Sequence, residues 1–187
     1  MSTSDSSPSV GKRVVNGFKR HWPWLFVIAA GVYLFQMVYP SVDLDERSDP
    51  APTVNLETLE GDRFQLSDHE GQVVVVSFWA TWCPACRAEL PFKQSLYEDY
   101  AEANEDVAFV GISINEEGLD AVREYADGED LSFTQTADRS GLLPQFGGEG
   151  SIPATFIVDR EGNIRFQHEG FLAKPALENA VDALLAE

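Results

Sequence analysis

Lysine and cysteine are nearly missing from this 187-residue sequence, which has four of the first and two of the second. Thirteen basic residues face thirty-one acidic ones, a formal net charge of −18. That deficit excludes nucleic-acid binding through a basic surface and docking on anionic lipid through a basic patch. The imbalance is uneven: residues 1–40 carry Lys12, Arg13, Lys19 and Arg20 against Asp5, for +3, and residues 41–187 carry −21. An acidic, lysine-poor surface serves ordinary solubility or stays hydrated in high salt, and composition does not separate the two. Histidine is sparse as well, and His21, His69 and His168 are isolated from one another. With two cysteines and no paired histidines, a structural zinc site lacks its remaining ligands.

What is present begins with an apolar run. From Trp22 to Tyr39 there is no charged residue, and Gln36 is the one strongly polar side chain. Eighteen residues of helix rise roughly 27 Å, close to the thickness of a bilayer core. Aromatic residues near its ends suit the membrane interface, and the basic cluster before it predicts an N-terminus inside the cytoplasm. The run ends in "YLFQMVYP", too bulky for the small residues that a signal-peptide cleavage site needs, so an uncleaved anchor is expected. No cysteine lies here, which excludes lipid attachment to a lipobox thiol. The expected organisation is a disordered basic cytoplasmic segment at 1–21, a transmembrane anchor at 22–40, an acidic Asp- and Pro-containing linker at 41–52, and a folded domain at 53–187 on the far side of the membrane.

The folded part, in a chain that is 44% hydrophobic, alternates strand and helix. "TVNLETLEGDRFQLSDHEG" predicts a hairpin, with Val54 and Leu56 facing Phe64 and Leu66 around Gly61. "QVVVVSFWA" is an unbroken β-branched and aromatic run that suits a central strand buried on both faces. A helix is predicted after it, with Leu90, Leu96, Tyr97 and Tyr100 at helical spacing and a kink at Pro91. "VAFVGISI" predicts a second buried strand, "EEGLDAVREYADGED" a helix, "SFTQTAD" a strand, "SGLLPQFG" a short helix and "ATFIVDREGNIRFQHEG" a second hairpin. "KPALENAVDALLAE" closes the chain as a helix with Leu177, Val181 and Leu184 on one face. This order implies an α/β fold, a mixed sheet with helices on both faces.

The two cysteines fall together in "FWATWCPACRAEL", at positions 83 and 86. Zinc ligation, burial as small hydrophobes and a redox couple are the three readings. The redox reading has a local physical basis. Pro84 suits the first position of a helix, where its missing N–H costs nothing. Cys83 then sits at the helix N-terminus, whose free N–H groups and dipole favour a thiolate. An exposed Cys83 is expected to attack, and Cys86, one turn further in and more buried, to resolve a mixed disulfide. Further along, "GSIPATFIVD" places the Ile152–Pro153 bond just before a strand, and spacing alone leaves its isomer open.

"FWATWCPAC", Pro91 in the following helix and "IPATF" before a hairpin together resemble the thioredoxin fold. The chain is more closely similar to the membrane-anchored TlpA/ResA family, which includes DsbE/CcmG-type cytochrome c maturation reductases. The likeness covers residues 50–187, with the extra N-terminal hairpin and the central insertion "SINEEGLDAVREYADGEDLSFTQTAD" typical of that family. It implies Cys83 as attacking thiol, Cys86 as resolving thiol and Pro153 as a cis-proline facing them. It further implies that Ile152 offers its backbone to a bound partner, that Trp79 and Trp82 line the site with Trp82 on the substrate side, and that Glu89 handles the proton of Cys86. The core aspartate of cytosolic thioredoxins is replaced here by Ser77. Disulfide-containing proteins, with apocytochrome c foremost, are the implied substrates, and a membrane thiol carrier of the CcdA/DsbD type the implied electron source. No metal and no cofactor beyond the redox-active disulfide is expected. Two other classes compete. A peroxidase would want a "TxxC" site, and Thr81-Trp82-Cys83 is one residue short of it. A copper chaperone would want His168 beside the thiols, for which the sequence offers no reason.

Overall fold

In the computed structural model the described residues are 25–31, 33, 44–103 and 106–187. The chain divides into two compact units, Met1–Ser41 and Val42–Glu187. In the first unit, residues 25–31 and 33 are helical and exposed. No helix among the described residues is long and apolar enough to cross a membrane. The rest of the run from 22 to 40 lies outside the described residues, as does the segment 1–21.

The second unit is built on strand β4 (Val73–Trp79), whose seven residues are all buried. Parallel to it runs β5 (Val107–Ser113), and β6 (Thr134–Ala137) is parallel to β5. On its other side β4 pairs antiparallel with β7 (Ala154–Val158), which pairs with β8 (Asn163–Glu169). The edge strand is β1 (Asp45–Pro50), antiparallel to β8. Among the described residues the sheet order is therefore β1-β8-β7-β4-β5-β6. A separate hairpin, as the alternation predicted, joins β2 (Asn55–Glu57) to β3 (Arg63–Gln65), and its register puts Leu56 opposite Phe64.

Side chains alternate across β4, so its two faces feed two cores. Val73, Val75 and Trp79 pack against helices α1 (Pro84–Ala103), α2 (Leu119–Gly128) and α3 (Lys174–Leu185) through Leu90, Leu96, Val122, Leu177 and Val181. Val74, Val76 and Phe78 pack instead against Val54 and Phe64 of the hairpin region and against Leu142, Leu143 and Phe146. The last two belong to a 3-10 turn, Leu143–Phe146.

The expectation of helices on both faces is thus corrected for the three long helices, which share one face, while the short helix expected in "SGLLPQFG" lies on the other as a 3-10 helix. The reason is chirality: β4-α1-β5 and β5-α2-β6 are successive right-handed crossovers that step in one direction, so both helices fall on the same face. The other face is left to the hairpin and the 3-10 turn. The acidic linker expected at 41–52 is corrected too, because residues 45–50 form β1. "DERSDP" carries no apolar alternation and stays mostly exposed, so it is held by backbone pairing with β8 and by the Arg47 guanidinium, which donates to Gln167 Oε1 and the Phe146 carbonyl. Charges along an edge strand also block pairing with other chains. The predicted central insertion turns out to be α2 and β6, one added unit at the sheet edge. Helix α1 continues through Pro91 as a single element.

Among the described acidic residues, Glu89, Asp138 and Asp159 are the buried ones, so most of the negative charge faces water. Such a surface repels itself over distances that salt controls. Raising KCl from about 0.1 M to about 1 M shortens the screening length from about 10 Å to about 3 Å, and the urea midpoint is expected to rise with it. A midpoint independent of salt would contradict that picture.

Candidate active site

Strand β4 ends at Trp79, and five residues later the chain enters α1 at Pro84. Cys83 sits at this junction in a disulfide with Cys86, with Cα atoms 5.3 Å apart. The turn is fastened by the Cys83 N–H donating to the Ala80 carbonyl and the Arg87 N–H to the Cys83 carbonyl, both at 3.1 Å. The Cys86 N–H points at Cys83 Sγ at 3.1 Å. A helix N-terminal donor aimed at that sulfur stabilises the thiolate formed on reduction. Cys83 is 5% exposed and Cys86 1%. The expected order of exposure therefore holds, but the openly exposed Cys83 of the sequence reading does not. Its sulfur is tied to Cys86 and lies 3.9 Å from the Ile152 carbonyl oxygen, which covers it.

That carbonyl belongs to the opposing wall. The Ile152–Pro153 peptide is cis. Pro153 is buried and Ile152 half-buried. The Pro153 carbonyl accepts from the Gly170 N–H at 2.7 Å. Gly170 has φ +102°, a conformation that glycine adopts without strain and that turns the chain back after β8. Trp82, beside the disulfide, is 63% exposed. Trp79 is fully buried, with its indole N–H on Gln135 Oε1 at 3.1 Å and its ring against Tyr125, so it packs the core and does not line the site.

The sequence treats Glu89 as either a proton handler or a solvated helix residue. It is 1% exposed and lies one turn from Cys86 on the buried face of α1. It ion-pairs with Lys93, equally buried. Lys93 Nζ also donates to Ser77 Oγ at 2.6 Å and Thr155 Oγ1 at 2.9 Å. Glu89 Oε2 accepts from the Leu172 N–H at 3.1 Å. Lys93, Ser77 and Thr155 were not singled out from sequence as parts of this cluster. The signal for Lys93 was its register: it falls seven residues after Cys86 and seven before Tyr100, inside the apolar stripe of α1. Among the described residues no group of three or more His, Cys, Asp or Glu is placed to hold a metal ion.

Against known proteins, the description of the AhpC/TSA family matches residues 48–167. The chain belongs to the AhpC/TSA family. Within that family it is 35% identical over 137 residues to the thioredoxin-like protein YneN of Bacillus subtilis, covering 73% of this chain and 79% of that one. It is 29% identical over 150 residues to the thiol-disulfide oxidoreductase ResA of Bacillus thuringiensis subspecies konkukian, covering 80% and 85%. A crystal structure of a thioredoxin-family thiol:disulfide interchange protein from Chlorobium tepidum superposes with TM-score 0.66 at 30% identity, covering 75% of this chain and 99% of that one. This AhpC/TSA chain is a thiol-disulfide oxidoreductase of the ResA type, with Cys83 and Cys86 as its dithiol.

The loop ahead of Cys83 is held by a buried amide. Asn115 Oδ1 accepts from the Thr81 N–H at 3.1 Å and its Nδ2 donates to Thr81 Oγ1 at 2.7 Å. Asn115→Ala leaves the Thr81 N–H without its partner, and urea unfolding is expected to show a loss of about 1–3 kcal/mol. An unchanged midpoint would mean that the loop is held by the disulfide turn alone.

Proposed function

We propose that the protein is a membrane-anchored reductase of disulfides outside the cytoplasmic membrane, with the paired cysteines of apocytochrome c as its substrate. The observation that carries the direction of attack is the Cys86 N–H on Cys83 Sγ. It supports the reading in which the helix N-terminus stabilises the Cys83 sulfur as a thiolate and Cys83 is the nucleophile. Trp82 and the half-buried Ile152 flank it as the surface a polypeptide would meet. A separate groove of about 580 Å³ is lined by residues that include Ile114, Asn115, Glu116, Arg139, Leu143 and Gly150.

The reaction is two exchanges. The Cys83 thiolate attacks one sulfur of the partner disulfide, that S–S bond breaks, and the departing partner thiolate takes a proton from water. The Cys86 thiol then loses its proton and attacks Cys83 Sγ, breaking the mixed disulfide and closing Cys83–Cys86. Two electrons pass to the partner, which leaves with two thiols. Glu89, one turn from Cys86, takes the proton of the second step. Pro153 forms the wall facing the two sulfurs, and Ile152 supplies backbone for an extended partner to pair with. Outside the membrane the dithiol must be restored, and a membrane thiol carrier of the CcdA/DsbD type fills that role. No bound cofactor enters any step. The anchor reading rests on the uncharged run Trp22–Tyr39 and the basic residues before it.

Cys86→Ser blocks the second exchange. It is expected to accumulate mixed disulfides through Cys83 in which the trapped partner is a c-type apocytochrome, identified by mass spectrometry after acid quench. A trapped population without c-type apocytochromes would replace that substrate with a broader set of disulfides or those of copper-centre assembly. For the anchor, the full chain is expected to sediment with membranes and resist alkaline carbonate, whereas a chain starting at residue 41 stays in the supernatant. Full-length protein in the supernatant would contradict it.

A further inference from the structure

Helix α1 presents Cys86, Glu89 and Lys93 on one buried face, at steps of three and four residues, each side chain shut off from water. The three donors of the Lys93 ammonium are all used, by Glu89, Ser77 and Thr155. Glu89 is held at both oxygens, Oε1 by Lys93 and the Thr155 hydroxyl at 3.4 Å, Oε2 by the Leu172 N–H. A buried ion pair is weak evidence of a stabilising device, because an apolar pair of similar volume commonly does as well. Its place directly behind a redox-active cysteine calls for another account.

Building on the reductase reading, we propose that Lys93 is the fixed counter-ion of the resolving step, a positioning residue that keeps the buried site neutral while a proton and a negative charge change places between Cys86 and Glu89. Before the step, Cys86 is a thiol and the Lys93 ammonium faces the Glu89 carboxylate. The proton passes from Cys86 Sγ to Glu89, and Lys93 now balances the Cys86 thiolate. The thiolate attacks Cys83 Sγ, the bond from Cys83 to the partner breaks, and the electron pair leaves with the partner sulfur, which takes a proton from water. With the disulfide closed, Glu89 releases its proton and the ion pair is restored. Without Lys93 the site would have to bury an uncompensated negative charge, on the carboxylate before the transfer and on the thiolate after it, which a low-dielectric interior opposes strongly. Ser77 and Thr155 fix the ammonium in place, so that the charge it balances can move while it does not.

The test separates the two exchanges. Reduced full-length protein in detergent is mixed with oxidised glutathione, quenched with acid at intervals and weighed intact. The glutathione adduct on Cys83 reports the first exchange and its disappearance the second. In Lys93→Met the first rate is expected to stay within about twofold of wild type, and the second to fall about tenfold or more, so that the adduct accumulates. Equal second rates in a folded Lys93→Met overturn the proposal, since a merely structural lysine lowers stability and leaves the ratio of the two rates alone. Should Lys93→Met fail to fold, Glu89→Gln is compared with the Glu89→Gln/Lys93→Met double variant, which removes both charges together. The double variant is expected to resolve about tenfold more slowly than Glu89→Gln, and equal rates overturn the proposal. Any dithiol exchanges with oxidised glutathione, so this comparison stands whichever way electrons flow in the cell. Failure of the wild-type dithiol to reduce a protein disulfide would overturn the reductase reading alone.

Discussion

Strand β4 is closed to solvent along all seven residues, and the position of the chemistry follows from that burial. A strand covered on both faces must reach water at its ends, and its C-terminal end is where the chain turns into α1. The turn places Cys83 at a helix N-terminus, and the helix face that returns toward the sheet carries Cys86, Glu89 and Lys93. On the other side of β4, antiparallel β7 starts directly after Pro153, so the cis-proline arrives at the same end of the sheet. Two neighbouring strands of opposite direction thus bring the Cys83 sulfur and the Ile152–Pro153 wall together, although 70 residues separate Cys83 from Pro153 in the chain.

Behind the sulfurs the core is polar where a core is ordinarily apolar. Glu89 and Lys93 sit on α1, Ser77 on β4, Thr155 on β7, and Leu172 just after β8. The cluster therefore ties the nucleophile's helix to both strands of the site and to the loop that holds the Pro153 carbonyl through Gly170. The groups of this network are hydrogen-bonded to one another and begin one helical turn from Cys86.

Much of this was legible in the sequence because it follows from local pattern. "VVVVSFW" announced a doubly buried strand, Pro84 a helix start, and the alternation of Val54, Leu56, Phe64 and Leu66 the first hairpin. Other features depend on partners that no local window contains. The segment "DERSDP" became an edge strand because β8 offered unpaired backbone, and no side-chain alternation marked it. The packing of α1 and α2 on one face came from the handedness of two successive crossovers. Lys93 was hidden by its type: a lysine four residues after a glutamate reads as a surface pair, whereas the apolar register of Cys86, Leu90, Leu96 and Tyr100 put it inside.

The direction of electron flow is set by the redox balance of the Cys83–Cys86 couple. The helix N-terminus at Cys83 favours a thiolate in oxidants and reductants alike, and the Pro-Ala pair between the cysteines tunes the balance without declaring it. The reduction potential of the Cys83–Cys86 couple, equilibrated against glutathione and dithiothreitol buffers and read by alkylation, decides the matter. A reductase requires a value on the reducing side, near the roughly −270 mV of thioredoxin, whereas a value near the roughly −120 mV of the strong oxidant DsbA would contradict it.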